Sequence, residues 1–380
     1  MRSRLPFFTF VALFLFVVGE SCALSQDTDL KPRERLRLVD EADSLVINTI
    51  GGQDIWEIWG HVHLAQGDAQ LLCDRASWWQ NDDRVILRGN VMIYDGKRTL
   101  WADRVDYDGK TRMERASGHV SLQSGEKKLV ARRLNYSRDK ELASAYGDIT
   151  ITDLVERASI KGYEAIFDRA LDYGMIQGNP QLTMEDTTSG ENMVVHGVKI
   201  EAWGEDQRVV ITDSVRIEKG ELRAVCQMAE YRPNDDLLVL ERTPTVWHRD
   251  QEMVGNRIDI QLNDLQFRGG VIQGKAEIIS RDSTYEDLLK GQRITVEVDQ
   301  DTIRKVVVDG QASSLYHIFE EGENERIEQG VNSVTGDRII LTFEGGRLER
   351  VKVESDPGQC MGTFTPKEEE GKIKGKGQNR

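Results

Sequence analysis

Apolar and polar positions alternate along most of this chain, and the alternation is copied. The copied frame reads small, any, usually charged, apolar, any, apolar. Its clearest versions are Cys73-Asp74-Arg75-Ala76-Ser77-Trp78, Ala102-Asp103-Arg104-Val105-Asp106-Tyr107 and Ala131-Arg132-Arg133-Leu134-Asn135-Tyr136. Six further frames start at Gly162, Gly197, Cys226, Gly255, Gly291 and Gly336, so successive spacings are 29, 29, 31, 35, 29, 29, 36 and 45. A second run keeps step: Gly60-His61-Val62-His63-Leu64, Gly89-Asn90-Val91-Met92-Ile93, Gly118-His119-Val120-Ser121-Leu122 and Gly147-Asp148-Ile149-Thr150-Ile151. A fixed period of this size predicts a stack in which each copy covers its neighbour. About nine rungs are expected.

Within a copy the apolar parity switches. Leu71 and Cys73 give way to Ala76 and Trp78, and Leu100 and Ala102 to Val105 and Tyr107. Strand side chains alternate faces, so keeping both pairs inside requires a bend between them, favoured by a small residue. Each rung is therefore expected to fold into two facing walls around an apolar trough roughly 43 Å long, at about 4.8 Å per rung. No helical periodicity follows the N-terminus, which makes the fold class all-β: an elongated β-jellyroll or solenoid-like stack.

The first residues add a targeting signal. Arg2 and Arg4 precede an apolar stretch from Leu5 to Val18, too short to span a bilayer comfortably. Ser21-Cys22-Ala23 resembles a small-x-small cleavage site, so 1–23 reads as a signal peptide. Glu20 and Ser21 make a poor lipobox, so cleavage without lipidation of Cys22 is the expectation; membrane association is the lesser alternative. Polar residues 24–45 read as a flexible lead-in, 46–177 and 178–366 as the N- and C-terminal halves of one continuous stack, and 367–380 as a disordered tail. Gly178-Asn179-Pro180 and Thr243-Pro244 replace Gly-x-Val at two strand starts, and loops are expected at 186–190, 281–284 and 320–328.

Composition narrows the function. The 380-residue chain carries a formal net charge of −15, which argues against nucleic acid as a partner. Beyond the signal peptide, Cys73, Cys226 and Cys360 are an odd number, against a disulfide framework. Cys73 and Cys226 share a ladder column five rungs apart, roughly 24 Å, and a disulfide needs Cα atoms within about 7 Å.

No catalytic constellation is present: no Gly-x-Ser-x-Gly, phosphate loop or Cys-x-x-Cys, and no cofactor is indicated. His61 and His63 share one strand face but lack a third metal ligand, so no metal site is assigned. The column Arg75, Arg104, Arg133 reads as a solvated face balanced by Asp74 and Asp103 rather than a phosphate ladder. The run Trp78, Tyr107, Tyr136, Phe167 reads as a core stack rather than a sugar platform.

The Gly-x-Val-x-Leu strands, the Ala-Asp-Arg-Val-x-Tyr ladder and the closing Gly310-x-Ala-x-Ser-x-Tyr316, Gly330-Val331-Asn332 and Gly362-Thr363-x-x-Pro366 elements resemble the organic-solvent-tolerance (OstA-like) family. That family includes the LptA-like periplasmic lipopolysaccharide-transport bridge and the N-terminal domain of the outer-membrane translocon. The resemblance covers about 46–366 and rests on repetition, not on one diagnostic site. It implies a β-jellyroll of V-shaped section that shelters lipid A acyl chains in the periplasm of a diderm bacterium. It also implies strand-edge pairing with an inner-membrane export complex and an outer-membrane translocon, and head-to-tail copies of itself. The implied lining is Val62, Leu64, Val91, Ile93, Val120, Leu122, Ile149 and Ile151, with the ladder residues Val105, Tyr107, Leu134, Tyr136, Phe167, Ile200, Tyr231, Ile258 and Ile260. By residue type alone these positions suit a closed core equally well. The competing readings are a β-solenoid polysaccharide-active enzyme and a ligand-free scaffold of the cell envelope.

Overall fold

A computed structural model describes residues 35–367, except 156, 187–189, 206, 264–265, 282–284, 300–301, 322–325 and 346. The expected signal peptide, Cys22, the first part of the lead-in and all but the first residue of the tail lie outside the described residues. So do the centres of the three expected loops.

The described residues form twenty-six strands and two short 3-10 turns. The chain separates into two compact units, one ending at Leu238 and the other starting at Val239. The first is an antiparallel meander from strand 53–66 through 69–79, 84–94, 98–108, 113–124, 127–137, 142–153 and 158–168. It passes residue 178 without interruption. The next two lanes are split strands, 173–177 with 181–185 and 192–196 with 199–203, and strands 208–219 and 222–232 complete the unit. Each copy of the repeat therefore supplies a two-strand hairpin, not one rung. The six copies of this unit make twelve lanes, roughly 50 Å of stack at about 4.8 Å per step. The ten steps from Cys73 to Cys226 place them roughly 48 Å apart, twice the expectation; both are buried and outside any disulfide, and Cys360 is exposed.

The bend lies where the parity switch put it, but the backbone device sits on the other strand. Gly60-His61 have φ of 71° and 49°, Gly89-Asn90 75° and 46°, Gly118-His119 73° and 44°, and Gly147-Asp148 79° and 48°. These left-handed pairs stand in mid-strand, not at strand starts as expected. Between the partners Trp59↔Arg75 and Val62↔Cys73, Gly60 and His61 oppose Asp74 alone. One extra residue shifts the register and kinks the strand, and it repeats at every lane boundary from Leu72/Arg75 to Thr212/Val215. Gly178-Asn179 continues the series with φ of 85° and 55°. Pro180, which has no amide to give the ladder, follows there and the strand breaks in two.

The kink sets two half-sheets face to face. On one, an aliphatic row runs in register across all twelve lanes: Leu64, Leu71, Ile93, Leu100, Leu122, Leu129, then Ile151, Ile160, Leu182, Val195, Ile217, Ala224. On the other runs Ile58, Ala76, Leu87, Val105, Ala116, Leu134, then Ala145, Ala165, Ile176, Ile200, Ile211, Ala229. All of the second row is buried. Burial of these two rows stabilises the unit at about 25 cal/mol per Å² of apolar surface removed from water.

The second unit repeats the plan. Its register row Ile258, Ile272, Ile294, Val308, Ile339 is buried throughout. Gly274-Lys275 (72°, 52°) and Gly310-Gln311 (76°, 52°) are its glycine kinks. The expected acidic loop 320–328 is largely hairpin: strands 302–321 and 326–344 pair Phe319 with Glu328 and Glu321 with Arg326.

The expected lead-in also contains ordered strand. Arg37–Leu38 pairs with Leu64–Ala65, and strand Ser44–Ile50 forms a hairpin with Gln53–Trp59 around Gly51-Gly52. Leu45, Val46, Ile47 and Ile50 are all exposed on that strand, which has a partner on one side only among the described residues.

Candidate functional site

In the first unit the facing rows part to leave an apolar cavity of about 80 Å³. One half-sheet contributes Leu71, Ile93, Leu100 and Leu122; the other contributes Val85, Leu87, Val105, Ala116 and Leu134, with Tyr107 and Tyr136. The lining spans strands 69–79 to 127–137, so four consecutive hairpin connections position it. Outward neighbours of the same strands, such as Trp101 and Val130, are exposed, as period-two geometry requires.

Six of the expected lining residues line this cavity: Ile93, Val105, Tyr107, Leu122, Leu134 and Tyr136. Val62, Leu64, Val91, Val120, Ile149 and Ile151 are buried but outside it, as are Phe167, Ile200 and Tyr231. Ile258 and Ile260 are buried in the second unit. Ile93 and Tyr107 are only half-buried. The aromatic run is inward, as expected, but one acid interrupts it: Tyr107 is in register with Glu114, and Glu114 with Tyr136.

That acid belongs to a polar rim the sequence reading missed. Gln66, Asp95, Arg98 and Glu114 all line the cavity. Arg98 sits two residues beyond Leu100 on one half-sheet, and Glu114 two residues before Ala116 on the other. The Arg98 side chain is only 3% exposed; its Nη2 donates to Asp95 Oδ2 at 3.0 Å. The turn holds Asp95 in place: its Oδ1 accepts from the amides of Lys97 (3.1 Å) and Arg98 (3.0 Å). Glu114 lies 3.8 Å from Arg138. Further along this rim, Lys127 faces Asp153 at 3.6 Å and Lys219 donates to Asp186 at 2.7 Å, all of them largely buried. A 29-residue column was available to find it: Ala69, Arg98 and Lys127 share the inward parity of Leu71, Leu100 and Leu129.

The kink corner carries its own column of exposed polar pairs. Asn90 Nδ2 donates to Asp74 Oδ2 at 2.9 Å, His119 Nδ1 lies 2.8 Å from Asp103, and Arg132 Nε donates to Asp148 at 2.7 Å. Asp74 and Asp103 therefore partner the kink residues, not Arg75 and Arg104. Arg104 bonds Asp106 instead, at 2.9–3.0 Å. Arg75 and Arg133 are exposed, so the arginine column is a solvated face in which Arg104 is paired with an acid.

His61 and His63 do not converge on a common site. His61 lies 3.1 Å from Asp43, while His63 bonds Asp40 at 2.6 Å and Gln70 at 2.7 Å. The Asp40 bond, then the Gln70 bond, raises the His63 pKa above the usual imidazole value. Burial pushes the Cys73 thiol up to about 11, which makes it an inert wall residue. No group of three or more metal-ligating side chains occurs among the described residues.

Comparison with family models matches residues 35–157, about a third of the chain, to the OstA-like proteins. No curated protein matches. Among solved structures the chain is similar to LptH, the LptA homologous periplasmic component of the conserved lipopolysaccharide transport device from Pseudomonas aeruginosa. The two are 14% identical over 38% of this chain and 82% of that one, with a TM-score of 0.21, a likeness too slight to argue from. The family match falls on the most regular copies of the repeat and on the strands that line the cavity: residues 35–157 of this chain are an OstA-like segment.

Proposed function

We propose that this protein is a non-enzymatic carrier of lipopolysaccharide in the periplasm. In this reading it shields lipid A acyl chains and bridges inner- and outer-membrane export machinery. The observation that carries the reading is the pair of facing aliphatic rows with a cavity between them, in a segment that matches the OstA-like proteins. Exposing an acyl chain to water costs about 0.8 kcal/mol per CH₂, roughly 10 kcal/mol for twelve carbons. An apolar interior continuous over twelve lanes offsets that cost along the whole path. The cavity is smaller than the ~150 Å³ apolar cavity that takes up benzene, so admitting a chain requires the half-sheets to part. The kink corner supplies the hinge line, and the rim opposite it is where they separate.

The bridging part of the reading rests on edges. The exposed strand Ser44–Ile50 can add a strand from a partner or from a second copy. The inward acids do not suggest a hydrolase. Glu114, Asp153 and Asp186 each face a cation, whereas glycoside hydrolysis uses two carboxyls flanking one bond.

The test is extraction of the purified protein with organic solvent, followed by mass spectrometry. Acylated glucosamine lipid at a substantial fraction of one per chain is expected. Protein that is lipid-free after expression in a lipopolysaccharide-producing host, and takes up none on incubation with it, would overturn the proposal.

A further inference from the structure

Arg98 is out of place in an apolar trough. Its side chain is 97% buried, yet its Nε and Nη1 have no hydrogen-bond partner among the described residues. An unsatisfied buried donor costs stability, more so for a charged group. Nη2 is held by Asp95, which the turn amides fix, and Arg98 lines the cavity, so Nε and Nη1, closed off between the half-sheets here, are the donors nearest to a chain that parts them. Resting on the carrier reading, we propose that these donors bind the carbonyl oxygen of an ester- or amide-linked acyl chain. They would fix the depth to which the chain enters between the two rows.

The charges around the cavity favour a neutral acceptor over a free anion. Asp95 already compensates Arg98, and Glu114 adds a second carboxylate to the same lining. A fatty carboxylate or a phosphate entering there would be a third anion, desolvated beside two carboxylates that already share Arg98 and Arg138, a cost those guanidiniums do not repay. A linked acyl carbonyl brings acceptor lone pairs without charge. Its alkyl chain then runs along Leu100 and Leu71 on one half-sheet and Val105 and Leu87 on the other. Gln66 lines the cavity at the same rim.

The experiment compares four probes of one chain length on the full protein: octane, methyl octanoate, N-methyloctanamide and octanoate at pH 8. Hydrogen bonds to charged groups correspond to roughly ten- to hundredfold in affinity. The wild-type protein is therefore expected to bind the ester and the amide that much more tightly than octane, and octanoate more weakly than the ester. The ester carbonyl infrared band should move to lower frequency on binding. In Arg98→Met the preference for ester over alkane should fall below threefold and the band shift should disappear. Equal wild-type affinity for ester and octane would overturn the role of Arg98 and leave the carrier reading standing. Tighter binding of octanoate than of the ester would overturn the neutral-carbonyl assignment. Uptake of none of the four would overturn both this inference and the carrier reading. The wild-type series decides these outcomes even if the variant does not fold.

Discussion

Single residues set the section of the trough. Gly118 holds φ of 73°, and a Cβ there would meet Asp103 Oδ2 at 2.2 Å and Asp103 Cβ at 2.8 Å. Gly118→Ala is expected to destabilise the protein by about 1–2 kcal/mol, since left-handed backbone alone costs an L-residue roughly that much. His119→Gly should be near neutral, because it relieves φ of 44° at the expense of an exposed pair worth little. Urea unfolding of both variants checks this; Gly118→Ala no costlier than His119→Gly would mean the kink is not glycine-dependent. The kink was only half legible in the sequence. Glycine before alternating apolar residues reads as a strand start, because the same φ freedom serves turns and mid-strand bulges. Asp213-Ser214 and Arg242-Thr243 adopt the left-handed pair without glycine; Pro244 marked the second in the sequence, and no residue-type cue marked the first. Arg98 was hidden for another reason: a charged residue beside a turn is ordinarily solvated, and only its parity with Leu100 and its 29-residue spacing from Ala69 and Lys127 set it inward.

At the level of elements, the alternation carried the face assignments well. Trp78, Val105 and Leu134 were placed inward from pattern alone, and all three are buried. What it did not carry was the strand count, because one ladder frame per period looks like one rung. The second strand of each hairpin was visible as Gly-x-Val-x-Leu, but its first half, such as Ile55–Trp59, has no copied motif. Edge strands were equally opaque: the alternating run from Leu45 to Ile50 suggests burial, yet it is exposed throughout. Its geometry yields a prediction. In a hairpin closed by the two residues Gly51-Gly52, the pair Ile50/Gln53 exchanges hydrogen bonds and alternate pairs follow. The amides of Leu45, Ile47 and Thr49 then point to the open edge. Ile47→Pro should leave the thermal midpoint within a few degrees while reducing self-association, or capture of a partner strand, at least tenfold in sedimentation or pull-down measurements. Undiminished association in that variant would locate assembly elsewhere.

On the scale of the whole molecule, the proposed function requires the interior of the stack to be a packed wall that yields to an acyl chain. The first unit has what that demands. Its rows are aliphatic over twelve lanes, its kinks run along one side, and its opposite rim carries ion pairs such as Lys127–Asp153. The most direct measurement is position-resolved photocrosslinking to lipopolysaccharide in cells, with a photoreactive residue placed in turn at Leu71, Leu72, Met92, Ile93, Leu100, Trp101, Ser121 and Leu122. The account predicts an alternating pattern, with adducts at Leu71, Ile93, Leu100 and Leu122 and at least fivefold fewer at their outward neighbours. Adducts at outward and inward positions alike, or at none of the eight in protein that is folded and correctly targeted, would contradict it.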